Sequence, residues 1–240
     1  MNQTLTKKTL WIAAPLALIA AVTLPLSANA ATTTRHITVS AEGTVKVTPD
    51  AVRLNASVTV VAATSKLALS QVSATADALR AALTKASISS KDIATQSITV
   101  YPEYNYTNEK GSTLIGYRGT QSFTVVIRNA ANAGVVVDSV VAAGGDNLQV
   151  NAVTPFVLDS SKAAESARAV AVKNAKTKAL SYAKLLGVKL SKISYLTENG
   201  SPSISAPIYA GAVAKSDMGT TVVDLGEQDV TVSITVRWSL

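Results

Sequence analysis

The chain has 240 residues, with 22 Lys and Arg against 15 Asp and Glu, a net charge of +7, a single histidine and no cysteine. The absence of cysteine excludes disulfides, thiol chemistry, thiolate metal sites and iron–sulfur clusters, so the fold must rest on its apolar core, which a chain of this length can supply. The positive charge is scattered. Lys173, Lys176, Lys178 and Lys184 recur along one helical segment without forming a tight run, which reads as a solvated face and not as a nucleic-acid site.

The first thirty residues form a secretory leader. Lys7 and Lys8 make a positive start, an apolar run extends from Leu10 to Leu24, Pro25 breaks it, and Ala28-Asn29-Ala30 offers small residues for cleavage after Ala30. The run is short for a membrane span and contains Pro15. No Arg-Arg pair points to the twin-arginine route, and no cysteine follows the cut to carry a lipid. The expected layout is a signal peptide over 1–30 and one α+β domain over 31–240. The expected location is the periplasm, or the exterior if the envelope has a single membrane.

The domain opens with strand signals. His36 to Ser40 and Thr44 to Val47 read as two short strands separated by a turn at Gly43. Thr48-Pro49-Asp50 is a second turn. From there Val52, Leu54, Ala56, Val58 and Val60 alternate with polar residues, the mark of a half-buried strand. Leu69, Val72, Ala76, Leu79 and Leu83 step by three or four and form one helical stripe. Thr95 to Tyr101 is extended, Pro102 ends or bulges it, and a polar loop over Thr107 to Thr113 leads into a long strand from Tyr117 to Arg128. A helix fits Ala130 to Ala143, stopped by Gly144-Gly145. Leu148 to Leu158 is a strand whose Pro155 suggests an edge or a bulge.

The longest helix follows, capped by Asp159 or Ser160. Its stripe is Ala164, Ala167, Ala171, Ala175, Ala179, Tyr182 and Leu186, and Gly187 is its C-terminal stop. Ile193 to Glu198 is a strand. Residues 199–226 read as a long loop of small residues. Val230, Val232, Ile234, Val236 and Trp238 close the chain in strict alternation. The order strand, helix, strand, strand, helix, strand between Val52 and Leu158 is the ferredoxin-like split βαβ unit, here βαββαβ, with the long helix and two further strands extending or covering the same sheet.

Chemistry-bearing constellations are scarce. His36 lies at the start of the first strand, and the spacing of the sequence marks no catalytic or metal-binding set around it. Ser181-Tyr182-Ala183-Lys184 matches S-x-x-K but lacks its companion motifs, which leaves a Ser181–Lys184 hydrolase as the remote alternative. No catalytic, cofactor-binding or metal-binding residue is assigned and no cofactor is expected. The informative cluster is aromatic: Tyr101, Tyr104, Tyr106 and Tyr117 place four of the seven tyrosines at one hairpin. Tyrosine is enriched at subunit contacts, so these four are the candidate interface.

Several segments, in this order, carry a resemblance: Ile37-Thr38-Val39-Ser40-Ala41-Glu42-Gly43 with Pro49-Asp50, Asp92-Ile93-Ala94-Thr95, Tyr101-Pro102-Glu103-Tyr104, Gly116-Tyr117-Arg118, and Glu165-Ser166-Ala167-Arg168 with Gly187. The chain resembles the SIMPL-domain family over about residues 35 to 240; Ala41 departs from the glycine usual in that pattern. The resemblance implies an exported, mostly periplasmic protein linked with immunogenicity or oxidative-stress defence, which self-associates and has no established catalytic residue or cofactor. With no cysteine and Met218 alone left after the leader, direct scavenging has no visible chemistry. The combined expectation is a non-enzymatic cell-envelope protein, structural or stress-protective, that forms a homo-oligomer, with possible envelope or membrane-surface contact and no nucleic-acid partner. The alternative is an envelope ligand-binding module that uses the 199–226 loop.

Overall fold

The structure is a computed structural model and describes residues 35–109, 111–205 and 221–240. The leader and residues 206–220 of the long loop lie outside the described residues. Helices and antiparallel sheets make an α+β fold, with its elements arranged on two four-stranded sheets.

One sheet carries β2 (Ala51–Ala62), β3 (Ile93–Thr107), β4 (Gly111–Ile127) and β5 (Leu148–Phe156) in the order β3-β4-β2-β5, every neighbouring pair antiparallel. Helix α1 (Ser65–Lys85) joins β2 to β3, and α2 (Ala133–Gly144) joins β4 to β5. Val52, Leu54 and Val58 from β2 and Phe123, Val125 and Ile127 from β4 pack against Val72, Leu79 and Leu83 of α1 and Val136 and Val140 of α2. The buried stripe of α1 includes Ala68, while Leu69 is exposed. Thr64 caps α1 by accepting the Leu67 amide at 3.2 Å.

The second sheet joins the two ends of the domain. β1 (His36–Val47) pairs along its whole length with β8 (Gln228–Ser239), and β6 (Ile193–Glu198) and the short β7 (Ser203–Ile204) pair with the other side of β8. Helix α3 (Ser161–Leu185) covers it, packing Ala167, Ala171, Ala175, Ala179 and Ala183 against Ile37, Val39, Val232, Ile234, Val236 and Trp238, with Ala164 also buried. This differs from the expectation that the long helix and two further strands extend or cover the first sheet. Alternation in β8 specifies a half-buried strand but not the sheet it joins. The stripe also ends at Ala183, leaving Tyr182 and Leu186 exposed. Asp159, one of the two expected caps, accepts the Ser161 amide at 2.9 Å.

Gly43 is not a turn. β1 is one continuous strand, and a Cβ at Gly43 would run into the Ala167 carbonyl and the Ala171 amide of α3. Small residues on both sides let helix and strand backbones approach closely. The first sheet unit sits within the second, since its ends meet: Asp50 accepts the Leu158 amide at 2.8 Å, and Ala51 stands opposite Phe156.

Candidate functional site

The expected tyrosine cluster lies on the β3–β4 hairpin, and strand length decides its setting. β2 has 12 residues, while β3 has 15 and β4 has 17. The ladder with β2 ends at Ala62 opposite Tyr117, whereas β3 and β4 stay paired out to Thr107 and Gly111. Residues 103–107 and 111–116 therefore form a two-stranded arm that extends past the rest of the sheet. Of the segment Thr107–Thr113, read from the sequence as a loop, Thr107 and residues 111–113 are strand, while Asn108 and Glu109 form a turn.

A bulge at the root aims this arm. The register shifts between Glu103 and Tyr104, Gly116 adopts φ 153°, and a Cβ there would press on the Ala62 carbonyl. Arg118 locks the same point with a forked pair to Glu103, Nε–Oε2 2.7 Å and Nη2–Oε1 2.6 Å. The Arg118 hydrogen bond holds the Glu103 carboxyl below the usual carboxylate range.

The four tyrosines do not share one face. Residues directly opposite in an antiparallel pair project to the same side, and neighbours along a strand alternate. Tyr101 stands opposite Arg118 and so lies on the Arg118–Glu103 side. Pro102 stands opposite Tyr117 on the other side, where alternation also places Tyr104, opposite Leu114, and Tyr106, opposite Ser112. Tyr106 is 76% exposed, Tyr104 44% and Leu114 48%. The structure thus brings Tyr104, Tyr106 and Tyr117 together with Leu114 and sets Tyr101 apart. Sequence reading missed Leu114 and Ile115, both exposed on the arm; their apolar character next to a polar turn was the available signal.

The other sequence candidates stay dispersed. His36 is exposed at the first position of β1, and Ser181 and Lys184 lie on the solvent side of α3. Among the described residues no group of three or more potential metal ligands occurs, and no helix is long and apolar enough to cross a membrane.

Two of the concave regions beside α2 lie next to anchored carboxylates. One, about 360 Å³, is lined by Ser87, Lys91, Asp92, Arg128, Asn129 and Asn132 among others. Its wall is a forked pair, Arg128 Nε and Nη2 donating to Asp92 at 2.9 and 2.7 Å, and this pair holds the Asp92 carboxyl below its ordinary value. The other, about 260 Å³, forms where residues 221–225 lie against α2. There Asp138 accepts the Thr221 amide at 3.1 Å and its hydroxyl at 2.5 Å, which holds the Asp138 carboxyl low. The Thr221 carbonyl occupies the space a Cβ on Gly134 would need. The 199–226 segment is tied at both described ends, by β7 on β8 and by Thr221 on α2.

An α+β domain with paired terminal strands and a projecting aromatic arm is the class these features define. The chain belongs to the SIMPL family, described as a protein of unknown function (DUF541), which matches residues 37–238. It is similar to the 26 kDa periplasmic immunogenic protein of Brucella melitensis, 31% identical over 238 residues and covering 93% of each chain, and equally to that of Brucella abortus. It is also similar to the uncharacterized protein YggE of Edwardsiella ictaluri, 27% identical over 180 residues, 74% of each chain.

Proposed function

We propose that this is an exported, non-enzymatic protein of the cell envelope that associates with copies of itself through the β3–β4 arm, in a structural or stress-protective role. The observation that carries the reading is the arm: a two-stranded ribbon that leaves Tyr104, Tyr106 and Leu114 exposed on one side. An isolated two-stranded ribbon is marginal in water, and clustered exposed tyrosine and leucine favour a protein contact. The leader pattern and the word periplasmic in the names of the Brucella relatives support the location. Sedimentation velocity on residues 31–240 at tens of micromolar tests the association. The expected result is a species larger than one chain that Tyr104→Ser/Tyr106→Ser dissociates. A monomer across that range removes the proposal.

A second reading, a ligand-binding module for an envelope component, draws on the 260 Å³ depression under residues 221–225. Amide exchange of these residues, with and without cell-wall or lipid extracts, decides it; unchanged protection counts against binding there.

A further inference from the structure

The sheet edges are not treated alike. β3 carries Pro102 and two register shifts, β5 carries Pro155 and faces a shift at Asn55/Ala56, and β6 is six residues long with a shift of its own. Each of these features discourages another strand from pairing. β1 has none of them: it runs 12 residues without proline, in unbroken register with β8.

Its outward groups can be read from the ladder. The Leu240 amide donates to the Arg35 carbonyl, and in an antiparallel ladder every second residue bonds inward to the partner. The odd-numbered residues of β1 therefore bond to β8. Thr38, Ser40, Glu42 and Thr44 turn their N–H and C=O groups away from the sheet. Among the described residues no strand pairs with that side.

Two of these carbonyls are occupied from above. Asn174 Nδ2 donates to the Glu42 carbonyl at 2.8 Å, and Lys178 Nζ donates to the Ser40 carbonyl at 3.1 Å. The donors lie four apart on α3, one turn along the same flank. They reach over the edge because the alanine stripe and Gly43 bring α3 close to β1.

We infer that Asn174 and Lys178 guard the β1 edge, closing it to strand addition by a second copy of this chain. A second copy is the fitting intruder, since its own β1 has the same length and unbroken register and, with its guards removed, presents the same row of outward groups. The guard takes two acceptors from the middle of that row and lays an ammonium group over it, where a pairing strand would have to lie. This inference is independent of the β3–β4 arm.

The test compares the parent with Asn174→Ala/Lys178→Ala at equal concentration, by sedimentation and by amide exchange resolved to β1. With the guards removed, the variant forms species larger than the parent's, and the amides of Ser40 and Glu42 slow by about tenfold or more as they enter a new ladder. A variant with parental circular dichroism, parental sedimentation and unchanged exchange at Ser40 and Glu42 overturns the inference. Lys178→Met keeps the stem and helix propensity while removing the donor, and decides the matter if the double variant does not fold. It is expected to show the same change at Ser40, and an unchanged Ser40 amide overturns the inference equally.

Discussion

Replacing Gly43 by alanine tests the packing of the second sheet with one methyl group. Gly43 lies within β1 and has no left-handed backbone, so alanine meets no conformational barrier there. Propensity alone favours the change, because glycine inside a strand costs roughly 0.5–1 kcal/mol relative to alanine. The packing argument gives the opposite sign. The new Cβ falls on the Ala167 carbonyl and Ala171 amide, which are helix backbone and cannot rotate aside. Restoring ordinary contact at about 3.5–4.0 Å requires α3 to withdraw from β1 by roughly an ångström or more. That movement loosens a row of buried alanines with no long side chain to fill the gap. Overpacking costs about 1–3 kcal/mol, and the rigidity of both partners places Gly43→Ala at the upper end. For a domain of this size about 3 kcal/mol lowers the melting temperature by roughly 6–12 °C. Thermal melting followed by circular dichroism reads the effect directly. A melting temperature equal to or above the parent's would refute the close-packing account and return Gly43 to a strand position of no special importance.

Two further outcomes follow from caps and carboxylates. Helices α1 and α3 end in the same hydrogen-bond pattern, with Ile88 N to Leu83 O and Val188 N to Ala183 O both at 2.9 Å, but α1 holds Ser87 at φ 64° where α3 holds Gly187 at φ 65°. A non-glycine residue costs about 1–2 kcal/mol there, offset by about 0.4–1 kcal/mol of chain entropy that glycine reintroduces. Ser87→Gly should therefore raise stability by about 0.5–1 kcal/mol, and Gly187→Ser should lower it by a similar amount, both read by chemical denaturation. Asp92, Glu103, Asp138, Asp159 and Glu198 all have carboxyls held below their ordinary values by their partners. Their contribution is present above about pH 4, the unfolded carboxylate range, and is lost as pH falls through the lower folded values. The melting temperature should hold from neutral pH to about pH 5 and decline below about pH 4, and Asp138→Asn should remove part of that acid-side slope.

The elements with strong local period were legible in the sequence. β2, β4 and β8 alternate, and α1 and α3 repeat at three and four, so side-chain pattern alone specified their type. What the pattern lacks is the identity of the partner. Ile234 and Val236 alternate equally well on either sheet, and Ala167 signals close packing without naming Gly43 as the surface approached. Gly43 itself misled, because a glycine between two apolar runs signals a turn as readily as a place where backbones meet. The arm was half visible. The tyrosines were counted correctly, and alternation along one strand already parts Tyr101 from Tyr104 and Tyr106. The side Tyr117 and Leu114 join and the projection of the arm, however, depend on register, the bulge at Glu103/Tyr104 and the length of β4 against β2, all consequences of pairing.

The meeting of Asp50 with Leu158 bears on the order in which the chain can close. β1 is made first, yet its partner β8 is made last, and contacts such as Ser40 with Thr235 span 195 positions. Taken alone this is a slow topology. The first sheet changes it, because residues 51–158 form a continuous stretch whose two ends lie side by side. Once that stretch is folded, the path from β1 to α3 shrinks from more than a hundred flexible residues to a short connection at each end. The entropy of closing β1 against α3 falls by about 2–3 kcal/mol. The inserted sheet thus acts as a clasp, holding the start of the domain near α3 once residues 51–158 are folded.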